Sequence, residues 1–151
     1  MTWDKEMLSK IIYCSVASHL FSEDELNELL RVSRKYNERN GITGILLYSE
    51  GNFFQVLEGE EAVIDKLYAR IKEDGRHDQV VQIVRESISA RTFKNWTMGY
   101  AVISSDDVNE IVGANDSSSD ETPFSSLGES RAKKLVSAFD EGNWRTKIVI
   151  Q

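Results

Sequence analysis

Two apolar segments joined by a short polar turn constrain the fold of this chain more than any other feature. They cover residues 42–48 and 53–57, and Ser49-Glu50-Gly51-Asn52 lies between them. Apolar runs on either side of a short polar loop with glycine are typical of a β-hairpin. Both runs are apolar on both faces, so other parts of the chain must cover each face of the sheet that contains the hairpin.

One polar residue, Gln55, interrupts the apolar pattern of the second segment. Side chains alternate across a strand, so Gln55 shares a face with Phe53 and Leu57. A buried primary amide without hydrogen-bond partners costs about 1–3 kcal/mol, so Gln55 needs partners. The residues alone leave two interpretations open. Gln55 is either a core side chain bonded to the backbone, or it faces a bound ligand with polar edges.

The hydrophobic periodicity of the first 103 residues predicts the element order β-α-β-β-α-β-β. The predicted elements are a strand at 11–15, a helix from Ser22 to Asn40-Gly41, the hairpin, a helix over 60–74, and strands over 79–86 and 96–103. Ser22 and Glu25 form a capping-box signature at the start of the first helix. This order predicts an α+β, ferredoxin-like mixed sheet with two helices on one face and a C-terminal helical extension.

The composition changes after residue 103, which divides the chain into three predicted parts. Residues 8–103 form the domain. Residues 104–128 hold seven serines, six acidic residues and no lysine or arginine, which is typical of an acidic linker. Residues 129–151 contain a predicted amphipathic helix and a tail. We expect this last part to fold back over the outer face of the sheet, where we place Leu46 and Tyr48, and to carry the output signal.

Charge and composition exclude several classes of function. The net charge is −7, and residues 1–103 carry 13 basic and 16 acidic side chains without a basic stripe, which argues against nucleic-acid binding. No apolar run reaches the ~20 residues of a membrane helix. The single cysteine, Cys14, excludes an internal disulfide, and no Cys/His cluster suits zinc. The first residues do not resemble a signal peptide, so we expect a cytoplasmic protein.

Several polar side chains are predicted to meet in a cleft between the two helices. The candidates are Tyr13 and Gln55 on the sheet, Asn37 on the first helix, Arg70 and Asp74 on the second, and Leu29 and Ile71 as apolar walls. Such a ring of donors and acceptors suits a flat heteroaromatic ligand. Each also has a plainer interpretation: a core tyrosine, a solvated helix end at Asn37, or a surface ion pair between Arg70 and Asp74.

Five segments, in this order and spacing, resemble the BLUF family of blue-light sensors that use flavin. The matching segments are 11–15 (IIYCS), 37–44 (NERNGITG), 53–59 (FFQVLEG), 76–77 (RH) and 91–98 (RTFKNWTM). The resemblance covers residues 8–103 and implies that the flat ligand is FAD. No Gly-x-Gly-x-x-Gly or Walker loop is present, so we expect the phosphates to be held loosely or outside the cleft.

The resemblance also implies roles for individual residues. Tyr13 is the light-driven electron and proton donor, and Gln55 bridges it to the flavin, whose absorption then shifts reversibly to the red. The remaining implied positions are Asn37, Arg70 and Asp74 at the flavin edge, Ser15, Trp96 and Met98 around Gln55, and Arg76 and His77 near the cofactor. The predicted strand puts Trp96 and Met98 on one face, and either can approach Gln55.

Three functions fit these observations to different degrees. The first is a blue-light photoreceptor that binds FAD non-covalently, is not an enzyme, and alters its binding to a downstream protein or to a second copy in a homo-oligomer. The second is a light-inert interaction module of the same fold. The third, a flavin oxidoreductase, needs substrate room beside the reactive ring, and nothing in the sequence indicates such room.

Overall fold

A computed structural model describes residues 7–75, 77–112 and 127–141. The elements are β1 (Leu8–Ala17), α1 (Glu23–Asn40), β2 (Thr43–Ser49), β3 (Asn52–Glu60), α2 (Glu61–Lys72), β4 (His77–Ser87), β5 (Gly99–Val102), α3 (Ser105–Val112) and α4 (Glu129–Asp140). The predicted order of strands and helices through β5 is confirmed. Within the described ranges, none of the helices has the length and apolar character needed to cross a lipid bilayer.

The five strands form one mixed sheet in the order β4-β1-β3-β2-β5. Strand β1 is antiparallel to both β3 and β4, and β3 is antiparallel to β2. Strand β5 is added at the edge, parallel to β2. The first four strands have the ferredoxin-like order, so the predicted fold class is confirmed.

A two-residue turn fixes the register of the central hairpin. Glu50 and Gly51 both have positive φ, at 51° and 85°, as a type I′ turn requires. The resulting register pairs Leu46 with Gln55 and Tyr48 with Phe53. Directly paired residues lie on the same face of a sheet, so our placement of Leu46 and Tyr48 on the outer face is wrong.

Helices α1 and α2 cover one face of the sheet, which we call the helix face. Ser22 and Glu25 form the predicted capping box at the start of α1, and Gly41 ends α1 in a left-handed conformation. The buried residues here are Ile11, Tyr13, Ala17, Leu26, Leu29, Leu30, Ile42, Leu46, Tyr48, Phe53, Leu57, Ile64, Tyr68, Met98 and Tyr100. Leu46 and Tyr48 therefore belong to the core beneath these helices.

Helices α3 and α4 cover the opposite side, the outer face. Leu135, Val136 and Phe139 of α4 pack with Leu47 and Val56 of the hairpin. The prediction that a C-terminal helix folds back over the sheet is thus confirmed. Phe139 is fully buried, and its ring lies 5.2 Å from that of Trp96 and 5.9 Å from that of Phe93.

The prediction of a linker over residues 104–128 is wrong for its first part, which forms α3. Ser104 accepts a hydrogen bond from the Asp107 amide at 3.1 Å, and Asp107 accepts one from the Ser104 amide at 3.0 Å. This capping box stabilises the start of α3, and Val108 is buried on the outer face. Residues 113–126 and 142–151 of the predicted linker and tail lie outside the described residues, as does Arg76.

Strand β5 is shorter than predicted, and this changes the positions of Trp96 and Met98. The backbone before Gly99 is a loop, so the alternation of a strand does not apply there. Met98 is buried on the helix face, whereas Trp96 packs on the outer face. The prediction that these two side chains share a face is therefore wrong.

Candidate functional site

A cavity of about 380 Å³ lies between α1 and α2, above the centre of the sheet. Its lining residues are Tyr13, Leu29, Val32, Ser33, Tyr36, Asn37, Leu46, Gln55, Leu67, Arg70, Ile71, Glu73, Asp74 and His77. The volume lies in the range of small-molecule sites, which are ~300–1,000 Å³. The sheet forms the floor, and the two helices form the walls.

Tyr13 and Gln55 lie on adjacent strands at the floor of this cavity. Strands β1 and β3 pair them directly, and the Tyr13 hydroxyl donates a hydrogen bond to Gln55 Oε1. Gln55 Nε2 donates to Met98 Sδ at 3.5 Å. A thioether is a weak acceptor, so the amide has one strong and one weak partner. Of the two residues proposed beside Gln55, Met98 therefore contacts it.

The phenol of Tyr13 is held in its protonated form. Tyr13 is fully buried, with the Tyr68 ring 5.6 Å away. Burial above all, and then the neighbouring Tyr68 and Asp74 side chains, raise the pKa of the phenol far above its ordinary value of about 10. Tyr13 therefore has a proton to donate at any physiological pH.

Asn37 connects the cavity to the loop that precedes β5. Its Nδ2 donates to the Thr97 carbonyl at 2.6 Å, which leaves Oδ1 as the group that can accept a hydrogen bond from a ligand. Arg34 Nε, one turn earlier on α1, donates to the Met98 carbonyl at 3.0 Å. The side chain of Asn37 is only 2% exposed, so the alternative of a solvated helix end does not apply.

Charged and polar side chains line the mouth of the cavity. The guanidinium carbon of Arg70 lies 4.9 Å from the centre of the Tyr36 ring, a cation–π geometry. Asp74 and His77 also line the mouth, and His77 Nδ1 is 2.8 Å from Ser15 Oγ. A cation beside an aromatic ring at an exposed rim suits the anionic tail of a ligand whose ring system lies deeper.

The structure brings most of the predicted site residues together. Those that line the cavity are Tyr13, Leu29, Asn37, Gln55, Arg70, Ile71, Asp74 and His77. Ser15 contacts His77 instead of the cavity, and Trp96 packs against Phe93 and Phe139 on the outer face. The structure thus separates Trp96 from the residues around Gln55, and Ser15 touches the site through His77.

Sequence reasoning missed several lining residues: Val32, Ser33, Tyr36, Leu46, Leu67 and Glu73. The spacing of α1 contained a usable signal, since Leu29, Ser33 and Tyr36 recur at helical intervals alongside Asn37. Leu46 was missed because the hairpin register was not used to assign its face. Among the described residues, no cluster suited to hold a metal ion is present.

The cavity fits the isoalloxazine ring of a flavin. Leu29 and Ile71 provide apolar walls, while the amides of Asn37 and Gln55 provide acceptors and donors for its polar edge. The fold and site thus define a class of protein: a ligand-binding α+β domain whose ligand lies against a hydrogen-bonded tyrosine–glutamine pair.

Residues 8–99 match the family described as BLUF, sensors of blue-light using FAD. The match spans more than half of the chain, and the chain belongs to this family. Residues 8–99 therefore form a flavin-binding blue-light sensor domain.

Similar proteins include the photoactivated adenylate cyclase subunit alpha of Euglena gracilis, 36% identical over 93 residues, or 62% of this chain. That segment is only 9% of the Euglena protein. Among solved structures, BlsA in its ground state gives a TM-score of 0.76 at 26% identity and covers 91% of each chain. Klebsiella pneumoniae BlrP1 with FMN and cyclic diGMP gives 0.61 at 29% identity, covering 92% of this chain and 36% of that one.

Proposed function

We propose that this chain binds FAD non-covalently in the cavity and converts blue light into a rearranged hydrogen bond at Gln55. The observation that carries the proposal is the arrangement in which Tyr13 donates to Gln55 Oε1, while the partner of Gln55 Nε2 among the described residues is the weak acceptor Met98 Sδ. A glutamine held by one strong and one weak partner is suited to switch between two arrangements.

When bound, the flavin supplies light absorption and, once excited, an acceptor for one electron. Tyr13 would be the residue that supplies this electron, and its phenolic proton would leave along the hydrogen bond to Gln55 Oε1. The Tyr13 oxygen then needs a donor, which the NH₂ group of Gln55 can provide after rotation or tautomerisation of the amide. Breaking the weak bond to Met98 opposes this change very little. Both the proton and the electron would then return to Tyr13, which would restore the phenol and leave the Gln55 amide rearranged.

Asn37 is proposed to hold the polar edge of the ring, with Arg70 and Asp74 at the rim. An Asn37→Ala substitution is expected to weaken flavin binding by about 10-fold or more, because a buried hydrogen-bond partner is lost. Equilibrium titration of the apoprotein with FAD measures this affinity. Asn40→Ala, an exposed position at the end of the same helix, is the matched control. Equal affinities for the two variants would remove Asn37 from the binding site.

The identity of the flavin as FAD is also a proposal. It is supported by the family description, whereas the BlrP1 structure contains FMN. The cavity suits the ring system, and Arg70 at the rim suits a phosphate of either flavin. We expect heat-denatured protein to release FAD, which chromatography distinguishes from FMN. Release of FMN alone would contradict the assignment.

The output is proposed to be altered binding to another protein in trans or within a homo-oligomer, and not a catalytic activity. Residues 8–103 are proposed as the flavin-binding domain and 129–151 as the segment that transmits the signal through α4. The part of 104–128 beyond α3 connects the two. Contacts of Trp96 and Phe93 with Phe139 support this route, because they join the loop beside the site to α4. We also propose a cytoplasmic location without nucleic-acid or membrane partners.

A further inference from the structure

The mechanism above makes no use of one fully buried acidic residue, Glu58. It lies near the end of β3, three positions after Gln55, and its side chain is 0% exposed. A buried carboxylate is costly unless hydrogen-bond donors surround it. The hydrogen-bond donors around Glu58 therefore indicate which part of the structure this carboxylate stabilises.

In the described part of the chain this carboxylate has three donors, and two of them are backbone amides of the loop between β4 and β5. Glu58 Oε2 accepts from the Thr92 amide at 2.8 Å, and Oε1 accepts from the Phe93 amide at 3.0 Å. Oε1 also accepts from the Thr43 hydroxyl at 3.1 Å. Hydrogen bonds to a charged acceptor are stronger than neutral ones, so this is a firm attachment of an otherwise irregular segment.

Arg91 strengthens the same attachment from the side of the loop. Its Nη1 donates to the Thr43 hydroxyl oxygen and to the backbone carbonyl of Glu58, each at 3.1 Å. The loop is thus fixed to β2 and β3 by side chains from both sides.

The other end of the same loop reaches the cavity. The Trp96 amide donates to the Phe93 carbonyl at 3.0 Å and closes a turn. This turn begins at Phe93, whose amide is bonded to Glu58. The Trp96 carbonyl accepts from the Gly44 amide at 3.1 Å. Two residues later, Met98 Sδ accepts from Gln55. Asn37 and Arg34 hold the carbonyls of Thr97 and Met98 from α1, so the segment that places the sulfur beside Gln55 is anchored at both ends, by Glu58 at its start and by α1 at its end.

We propose that Glu58 is a positioning residue for the light switch: its carboxylate anchors the start of segment 92–98, whose end is held by α1, and the anchored segment brings Met98 to Gln55 and brings Phe93 and Trp96 to Phe139. The inference rests on the proposed switching of Gln55. Among the described residues, the loop between β4 and β5 contacts both Gln55 and α4, and Glu58 holds its Phe93 amide in place.

The test is Glu58→Gln, with Glu60→Gln on the exposed end of the same strand as the control. A glutamine keeps the size but presents an NH₂ group to an amide N–H, so one donor faces another. We expect amide hydrogen exchange at Thr92, Phe93 and Trp96 in the dark protein to rise about 10-fold, the effect of losing a charge-assisted bond. The red shift should fall to about half or less, because a loosened loop no longer holds the Gln55 amide in one arrangement in the dark, and only the dark-state fraction can still be converted by light.

The two readouts separate the possible failures. If the unsubstituted protein shows no red shift, the proposed function fails, while exchange at Thr92 and Phe93 still tests the attachment. If the unsubstituted protein photoconverts and Glu58→Gln shows faster exchange but an unchanged red shift, Glu58 is merely structural and the inference is overturned.

Where Glu58→Gln does not fold, Thr43→Val removes one donor at nearly constant size and must show the same two changes to a smaller extent. A Thr43→Val protein identical to the parent in both would also overturn it.

Discussion

The Tyr13→Phe variant is expected to bind flavin as the parent does and to lose its light-induced red shift completely. Phenylalanine keeps the buried ring but removes the hydroxyl that donates to Gln55 Oε1. Without it, the proposed electron and proton donor is gone, and no event remains that would rearrange the amide. Binding is expected to survive because Asn37, Arg70 and Asp74 supply the other polar contacts. Absorption spectra before and after blue light measure the loss.

Tyr68→Phe is the matched control for this substitution. Tyr68 is also a mostly buried tyrosine, its ring lies 5.6 Å from that of Tyr13, and it is not among the residues that line the cavity. It should therefore photoconvert like the parent. If the Tyr13→Phe protein still shifts to the red, or the Tyr68→Phe protein does not, the assignment of Tyr13 as the donor is wrong.

The second large effect concerns stability: Phe139→Ala is expected to lower the free energy of unfolding by about 3–5 kcal/mol. The side chain is fully buried between Phe93, Trp96 and the outer face of the sheet. Truncation leaves a cavity among these aromatic rings. The free energy of unfolding of a small domain is only ~5–15 kcal/mol, so this substitution removes a large part of it. Urea unfolding, followed by tryptophan fluorescence, measures the change.

Ser137→Ala, at an exposed position of the same helix, should change the free energy of unfolding by less than ~0.5 kcal/mol. The folded fraction of Phe139→Ala should keep its red shift, because Tyr13 and Gln55 lie on the other face of the sheet. If Phe139→Ala lowers the free energy of unfolding by less than about 1 kcal/mol, α4 does not pack on the sheet in solution.

Much of the fold was predictable because local patterns and tertiary structure agree. The capping box at Ser22, the glycine after α1 and the apolar hairpin each encode their own element, and the order of elements then selects the sheet topology. The assignment of Leu46 to the outer face was wrong for a different reason. A face is set by the register between strands, which follows from the two-residue turn at Glu50 and Gly51 and not from one strand alone.

The site was predictable at positions where a polar residue interrupts an apolar pattern. Gln55 and Tyr13 are polar groups on an apolar face, and Asn37 ends an apolar stripe. The positions of Trp96 and Met98 were not predictable from periodicity, because the segment before Gly99 is a loop held by tertiary hydrogen bonds. Glu58 was overlooked for the same reason. Its importance lies in contacts to residues more than 30 positions away along the chain.

Blue light is proposed to rearrange the hydrogen bonds of Gln55 without lasting chemical change in the flavin. The visible absorption spectrum of the purified, flavin-loaded protein before illumination, after it, and after return to darkness tests this most directly. We expect the flavin bands to move to longer wavelength under blue light, to keep their intensity, and to return fully in the dark. Bands that stay unchanged under blue light, or that bleach as the flavin is reduced, would contradict it.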